Sequence, residues 1–202
     1  MASLESLDDL LQDELKDIYD AEKQITKALP KMAKKASSEE LRQAFEEHLR
    51  QTEQQIERLE QVFEQLEIPA RGKPCEGMKG IIREGQDMIS EAEDDATRDA
   101  LMIAAAQKVE HYEIASYGSA RTWATMLGKN DVAALLEETL EEEKETDQKL
   151  TGIAESMVNQ EAARGEGQED EDDSSSRGRT AARGRSSVSR SNRQVAADRR
   201  RR

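Results

Sequence analysis

The spacing of apolar residues constrains the fold of this 202-residue chain most strongly. In four long stretches, aliphatic side chains recur every three or four residues, which is the period of an amphipathic α-helix. In the first stretch, within residues 4–35, the apolar stripe consists of Leu11, Leu15, Ile18, Ile25 and Leu29. No stretch shows the alternation with a period of two that is typical of a strand. The sequence therefore predicts an all-α protein.

Capping residues, prolines and glycines set the expected helix boundaries. Ser3 is the predicted N-cap of the first helix, and Pro30 is expected to kink or end that helix. The second helix follows a capping signature at residues 37–40 and ends before Pro69. The other predicted helices are a short one over residues 76–93 and two long ones over residues 97–127 and 132–157. Two antiparallel helix hairpins, joined by a long crossover with its own extra helix, describe a ferritin-like four-helix bundle.

The formal net charge of −14 combines two oppositely charged segments. Residues 174–202 contain ten arginines and one acid, a charge of +9, which leaves −23 on residues 1–173. From residue 163 onward the chain is first acidic and then rich in arginine and serine, with no apolar period. A segment with so little to bury is expected to be disordered. We therefore predict a bundle domain over residues 1–162 and a disordered tail over residues 163–202.

The sequence also indicates where the protein resides. It contains no apolar run long enough to span a membrane and no signal-peptide pattern at its N-terminus. Cys75 is the single cysteine, so it cannot form an intramolecular disulfide, and a reducing compartment is favoured. These features predict a cytoplasmic protein without a membrane partner.

Acidic residues and one histidine interrupt the apolar stripes at positions that a bundle would bury. Each of the four long helices has at least one such residue between or beside aliphatic neighbours. Counting residues from each predicted hairpin turn places these polar residues at nearly the same height on the two helices of each hairpin. The predicted cluster consists of Glu22, His48, Glu110, Glu113, Glu143 and Asp147. Because an unpaired buried carboxylate is strongly unfavourable, several at one level require protons or cations.

Carboxylate-rich ligation with one imidazole suits iron or manganese, and it also suits magnesium or calcium. We therefore predict a carboxylate-bridged metal site inside the bundle. Each residue also has a simpler explanation. Glu113 and Asp147 can be solvated residues of a helix surface, and His48 can be a hydrogen-bonded core histidine. Tyr117 is expected to be a packing residue with a hydrated hydroxyl group.

Motifs on all four long helices resemble one known family. The motifs are residues 17–24 (DIYDAEKQ), residues 44–58 with His48, Thr52, Gln55 and Arg58, residues 107–118 (QKVEHYEIASYG) and residues 139–147. Together they resemble the YciE/YciF family of bacterial ferritin-like stress proteins over about residues 4–160. The resemblance implies a ferritin-like bundle, a homodimer, a dinuclear metal centre and a role in stress responses.

One departure limits what the resemblance implies. Ferritin-like diiron proteins carry Glu-x-x-His on two helices. Here Phe45 stands three residues before His48, and Thr146 stands three residues after Glu143. One glutamate and the second histidine of that pattern are therefore missing, so the resemblance does not imply full ferroxidase chemistry.

Three functions remain open on the sequence. The first is redox or peroxide handling at two iron or manganese ions bound by the predicted cluster. The second is a non-catalytic homodimeric stress protein that acts through its surface. The third is binding of nucleic acid or another anionic partner by the arginine-rich tail. The same tail can instead solvate the protein or fold back on its acidic body.

Overall fold

The structure is a computed structural model and describes residues 4–164. Its helices are α1 (Leu7–Lys35), α2 (Glu39–Gln65), α3 (Glu76–Glu91), α4 (Asp95–Met126) and α5 (Asn130–Ile153). A π-helical turn at Ala154–Val158 then leads into the short helix α6, Asn159–Arg164. Residues 4–164 contain no strand. None of their helices has the length and apolar character needed to cross a membrane.

The long helices form two antiparallel hairpins, α1 with α2 and α4 with α5. Because α1 also packs against α4, and α2 against α5, the four helices enclose one core. The crossover of residues 66–94 carries α3, which packs on α4 and α1. The predicted fold class, an all-α ferritin-like bundle with an extra crossover helix, is confirmed. Residues 163 and 164 of the predicted disordered tail belong to α6, the rest of the tail lies outside the described residues, and the domain boundary at residue 162 stays a prediction.

Helix α1 differs from the sequence prediction at two points. Its N-cap is Ser6 instead of Ser3: the Ser6 side chain accepts a hydrogen bond from the Asp9 backbone N–H, and the Asp9 carboxylate accepts one from the Glu5 backbone N–H. Pro30 does not end the helix, which continues to Lys35. Leu29 and Ala33, on either side of the proline, are both buried. We attribute the continuation to their packing, which outweighs the single backbone hydrogen bond that a proline removes.

A layer of buried polar residues divides the core into two apolar clusters. One cluster includes Ile25 and Phe45, and the other includes Leu15 and Phe63. Along each long helix, the polar residues lie between the residues of the two clusters. The layer consists of Glu22, His48, Thr52, Gln55, Glu110, Glu113 and Glu143. With apolar packing above and below, these groups are buried in the middle of the bundle.

Candidate metal centre

Five of the six predicted site residues lie in the polar layer, and we call these five the carboxylate cluster. They are Glu22 on α1, His48 on α2, Glu110 and Glu113 on α4, and Glu143 on α5. None is more than 4% exposed. The helical period explains the convergence, because each side chain occupies a position on the stripe that the helix turns toward the core.

The donor atoms of the cluster are close together. One donor atom from each of His48, Glu110, Glu113 and Glu143 lies within 4.8 Å of the other three. Both nitrogens of His48 face carboxylates: Nδ1 is 3.4 Å from Glu110 Oε1, and Nε2 is 3.9 Å from Glu143 Oε2. At 3.9 Å from Glu143, Nε2 of His48 is left without a hydrogen-bond partner.

Glu22 joins the cluster from α1. Its Oε1 accepts a hydrogen bond of 2.5 Å from the hydroxyl of Tyr117, which is itself fully buried. The charge of Glu22 contributes to the raised pKa of Glu113, as expected for carboxylates that are close neighbours. Tyr117 therefore holds one oxygen of Glu22 and leaves the other directed at the cluster.

The structure does not bring Asp147 into the cluster. Its side chain is 21% exposed, and its Oδ1 accepts a hydrogen bond from Gln107 at 3.2 Å and lies 3.4 Å from His111 Nε2. Asp147 lies one turn after Glu143, at the edge between α4 and α5, where Gln107 and the exposed His111 contact it.

Two residues of α2 fix the position of α5 beside the cluster. Gln55 donates a hydrogen bond of 2.5 Å to Glu143 Oε1 and a second of 3.0 Å to Glu142. The Arg58 guanidinium donates to both oxygens of Glu142, at 3.0 and 2.9 Å, and to the Thr139 hydroxyl at 2.7 Å. These hydrogen bonds at the edge of the cluster fix α5 against α2 and so place Glu143 beside His48.

Many polar atoms of the cluster have no partner. Within residues 4–164, those without a hydrogen bond are Glu22 Oε2, His48 Nε2, both carboxylate oxygens of Glu110 and of Glu113, and Glu143 Oε2. Native proteins leave only a few buried polar groups unsatisfied, and each costs free energy. Seven such atoms on five neighbouring side chains form a set that can bind a cation in place of protons.

Burial and mutual repulsion shift the acidities of the carboxylates. Burial, with the charge of Glu143, raises the pKa of Glu22 and of Glu110 well above the ordinary value. Burial, with the charge of Glu22, does the same to the pKa of Glu113. The pKa of Glu143 rises to about 7, again chiefly through burial. Without a bound cation, the carboxyls of the cluster therefore favour their protonated form at neutral pH.

Burial also lowers the pKa of His48 to about 4, with a smaller contribution from the positive charge of Lys149. The imidazole is therefore neutral at pH 7, which is the form that binds metals. Neutral imidazole and several carboxylates at one point form a donor set that could hold a metal ion.

Sequence reasoning missed the roles of two neighbours of the cluster. Tyr117 follows Glu113 by four residues and Glu110 by seven, so its place on the same stripe was visible, although only its packing was predicted. Gln55 was likewise on the stripe of α2, but nothing in its type indicated a hydrogen bond to Glu143.

The fold and the site together define the class of protein: a ferritin-like helical bundle whose core contains a buried carboxylate and histidine cluster that could hold a metal ion. The chain matches the family described as a domain of unknown function, DUF892, over residues 6–163. It therefore belongs to this family, and the resemblance to YciE/YciF stress proteins is confirmed.

Relatives of known sequence or structure agree with this membership. The chain is 48% identical to Protein YciF of Escherichia coli K12 over 161 residues, which are 79% of this chain and 97% of that protein. The crystal structure of the E. coli stress protein YciF matches with a TM-score of 0.74 and 49% identity, covering 77% of this chain and 99% of that one. YcfI of Rhodopseudomonas palustris matches with a TM-score of 0.73 and 44% identity, covering 74% and 95%. The protein is thus a homologue of the stress protein YciF.

Proposed function

We propose that the carboxylate cluster binds two iron or manganese ions and that the protein uses them in redox or peroxide handling during stress. The observation that supports this most directly is the set of seven buried donor atoms without partners. Without a cation these buried carboxyls must share protons, as Glu22 does with Glu113 and Glu110 with Glu143, and several of their oxygens still have no partner.

The donors are sufficient for two ions. Four carboxylates can each contribute two oxygens, and His48 can contribute one nitrogen. Glu110 and Glu113, one turn apart on α4, both point inward and have all four oxygens available. Bound iron or manganese would supply one-electron chemistry and open positions for oxygen or peroxide. We include Glu22, His48, Glu110, Glu113 and Glu143 as ligands and leave Asp147 out.

A polar opening gives water and small solutes access to the cluster. A cavity of about 410 Å³ lies between α2 and α5, and its wall includes His48, Gln51 and Thr146. It reaches the imidazole from the side of the bundle opposite α3. A small polar reactant such as hydrogen peroxide can therefore approach His48 without crossing the apolar core.

Consumption of hydrogen peroxide separates this proposal from a non-catalytic role. We expect iron- or manganese-loaded wild type to consume peroxide with turnover, and we expect Glu110→Ala protein treated identically to show none of that activity. Glu141→Ala, which removes an exposed carboxylate from α5, is the matched control and should keep the activity. Loaded wild type without peroxide turnover would instead favour the non-catalytic homodimeric stress protein.

We propose separately that the arginine-rich tail binds nucleic acid. Ten arginines in residues 174–202 would release counterions from phosphates, so affinity should fall steeply as salt rises. We expect the full chain to bind duplex DNA at low salt and a 1–163 truncation to bind at least about tenfold more weakly. Equal and negligible binding by both proteins at two salt concentrations would contradict the proposal. Homodimerisation likewise stays a prediction.

A further inference from the structure

A second cavity reaches the carboxylate cluster from the opposite side and differs from the polar opening. It has a volume of about 300 Å³ and lies between α1, α3 and α4. Its buried end is formed by His48 and Glu110. Most of its wall is aliphatic and includes Ile25, Met32, Ile82, Ile89 and Val109. Sites for small ligands have volumes of about 300 Å³ and more and mostly apolar walls.

A glycine allows the crossover helix to form this wall. A Cβ at Gly85 would lie 2.9 Å from the Cβ of Ala105, closer than such atoms normally approach. Gly85 therefore lets α3 pack closely against α4 along the cavity. The cavity is therefore closed by α3 on one side and by core residues of α1 and α4 on the other.

Basic and acidic side chains lie at opposite ends of the cavity. Lys31 and Lys35, one turn apart on α1, are exposed and form the mouth, whereas Glu110 is the only acid in the wall and is fully buried at the far end. Among residues 4–164 neither lysine forms an ion pair, and the other lysines of α1 form none either, whereas lysines elsewhere in these residues do. Two unpaired ammonium groups therefore mark the entrance of an apolar cavity on a strongly acidic protein.

We propose that this cavity binds a fatty acid, with the carboxylate at Lys31 and Lys35 and the alkyl chain directed inward to His48 and Glu110. An alkyl chain matches the aliphatic wall and gains free energy by leaving water. A carboxylate at the buried end would lose its hydration beside Glu110 without meeting a cation, so the lysines fix the head at the mouth. A cationic head would meet the two ammonium groups instead.

Decanoate binding to the metal-free full chain, measured by calorimetry, tests the proposal. We expect one decanoate per chain, and binding weaker by about tenfold or more for decyltrimethylammonium, which has the same chain and the opposite charge. The double variant K31Q/K35Q should lose about tenfold in affinity for decanoate. Lys34→Gln is the matched control, because Lys34 is exposed on the same helix but does not line the cavity, and it should leave the affinity unchanged.

A cavity-filling variant keeps the test independent of charge. Ala28 is half-buried in the wall, so Ala28→Phe should abolish decanoate binding while the helical circular dichroism signal remains at the wild-type level. Absence of decanoate binding by wild type, equal binding of the cationic analogue, or full binding by folded Ala28→Phe protein would each overturn the proposal. Binding only to vesicles of anionic phospholipid would overturn it as well. Since the measurement uses metal-free protein, its failure leaves the metal proposal untouched.

Discussion

Removing Glu110 or His48 will abolish high-affinity metal binding. We expect Glu110→Ala and His48→Ala proteins, reconstituted with iron or manganese beside wild type, to lose about two equivalents of metal per chain. Mutation of residues that only support ligands already weakens metal binding by about 10- to 100-fold, so loss of a ligand should weaken it by at least about 100-fold. Both residues lie within the group of donor atoms that are mutually closer than 4.8 Å.

Asp147→Asn supplies the matched control for that experiment. It also removes one carboxylate from the same pair of helices, but Asp147 lies at the edge of the bundle beside His111. We expect this variant to keep the full wild-type metal content. Full metal content in Glu110→Ala protein, or its loss in Asp147→Asn protein, would contradict the arrangement of ligands proposed here.

The metal-free protein will lose stability as the pH rises from about 7 to about 8.5. Burial holds the pKa of Glu22, Glu110 and Glu113 well above the ordinary value, so the folded state keeps protons that the unfolded state has released. The free energy of unfolding therefore falls with pH, by about 1.4 kcal/mol per pH unit for each carboxyl that stays protonated. Denaturant unfolding of metal-free protein at several pH values measures this slope.

The lowered pKa of His48 makes the free energy of unfolding rise with pH, but only below this pH range. Its pKa is lowered to about 4, so its contribution to stability is lost only as the pH falls below the ordinary histidine value of about 6.5. Above pH 7 the imidazole is largely neutral in both states. The slope between pH 7 and 8.5 therefore reports chiefly on the carboxylates of the cluster.

Variants and added metal distinguish the contribution of the carboxylate cluster to this slope from that of the many surface carboxylates. Glu113→Gln should flatten the slope, whereas Glu141→Gln, at an exposed position of α5, should leave it unchanged. Added iron or manganese should raise the free energy of unfolding most at the higher pH, because metal binding displaces the protons. A free energy of unfolding that stays level or rises in metal-free wild type between pH 7 and 8.5 would contradict a buried, repelling cluster.

The fold was predictable because each long helix carries a nearly uninterrupted apolar stripe. Spacing alone placed α4 within two residues of its observed start and one of its end, and Gly128, with φ of 72°, ends the α4 segment as its sequence position indicated. The start of α1 was less predictable, since both Ser3 and Ser6 are plausible caps. Ser6 is the cap because Asp9 completes the hydrogen bonds there. The Asp9 carboxylate accepts from the Glu5 backbone N–H and the Ser6 hydroxyl, and the Asp9 backbone N–H donates to Ser6.

The burial of the residues in the carboxylate cluster was predictable from the sequence, but their hydrogen-bond partners were not. Residues on a stripe between aliphatic neighbours, such as Glu22 and Glu143, have little alternative to the core, so their burial followed from spacing. Asp147 lies one turn after Glu143 but is partly exposed at the edge of the bundle, where Gln107 and His111 contact it, and spacing alone did not indicate this difference. The Tyr117 hydrogen bond to Glu22 spans two hairpins, and a single sequence contains no information about such a contact.

Anomalous diffraction from crystals of reconstituted wild-type protein tests the central claim most directly. We expect two anomalous peaks of iron or manganese inside the bundle, surrounded by Glu22, His48, Glu110, Glu113 and Glu143. Protein that contains no transition metal after reconstitution, or peaks only at surface carboxylates, would contradict it.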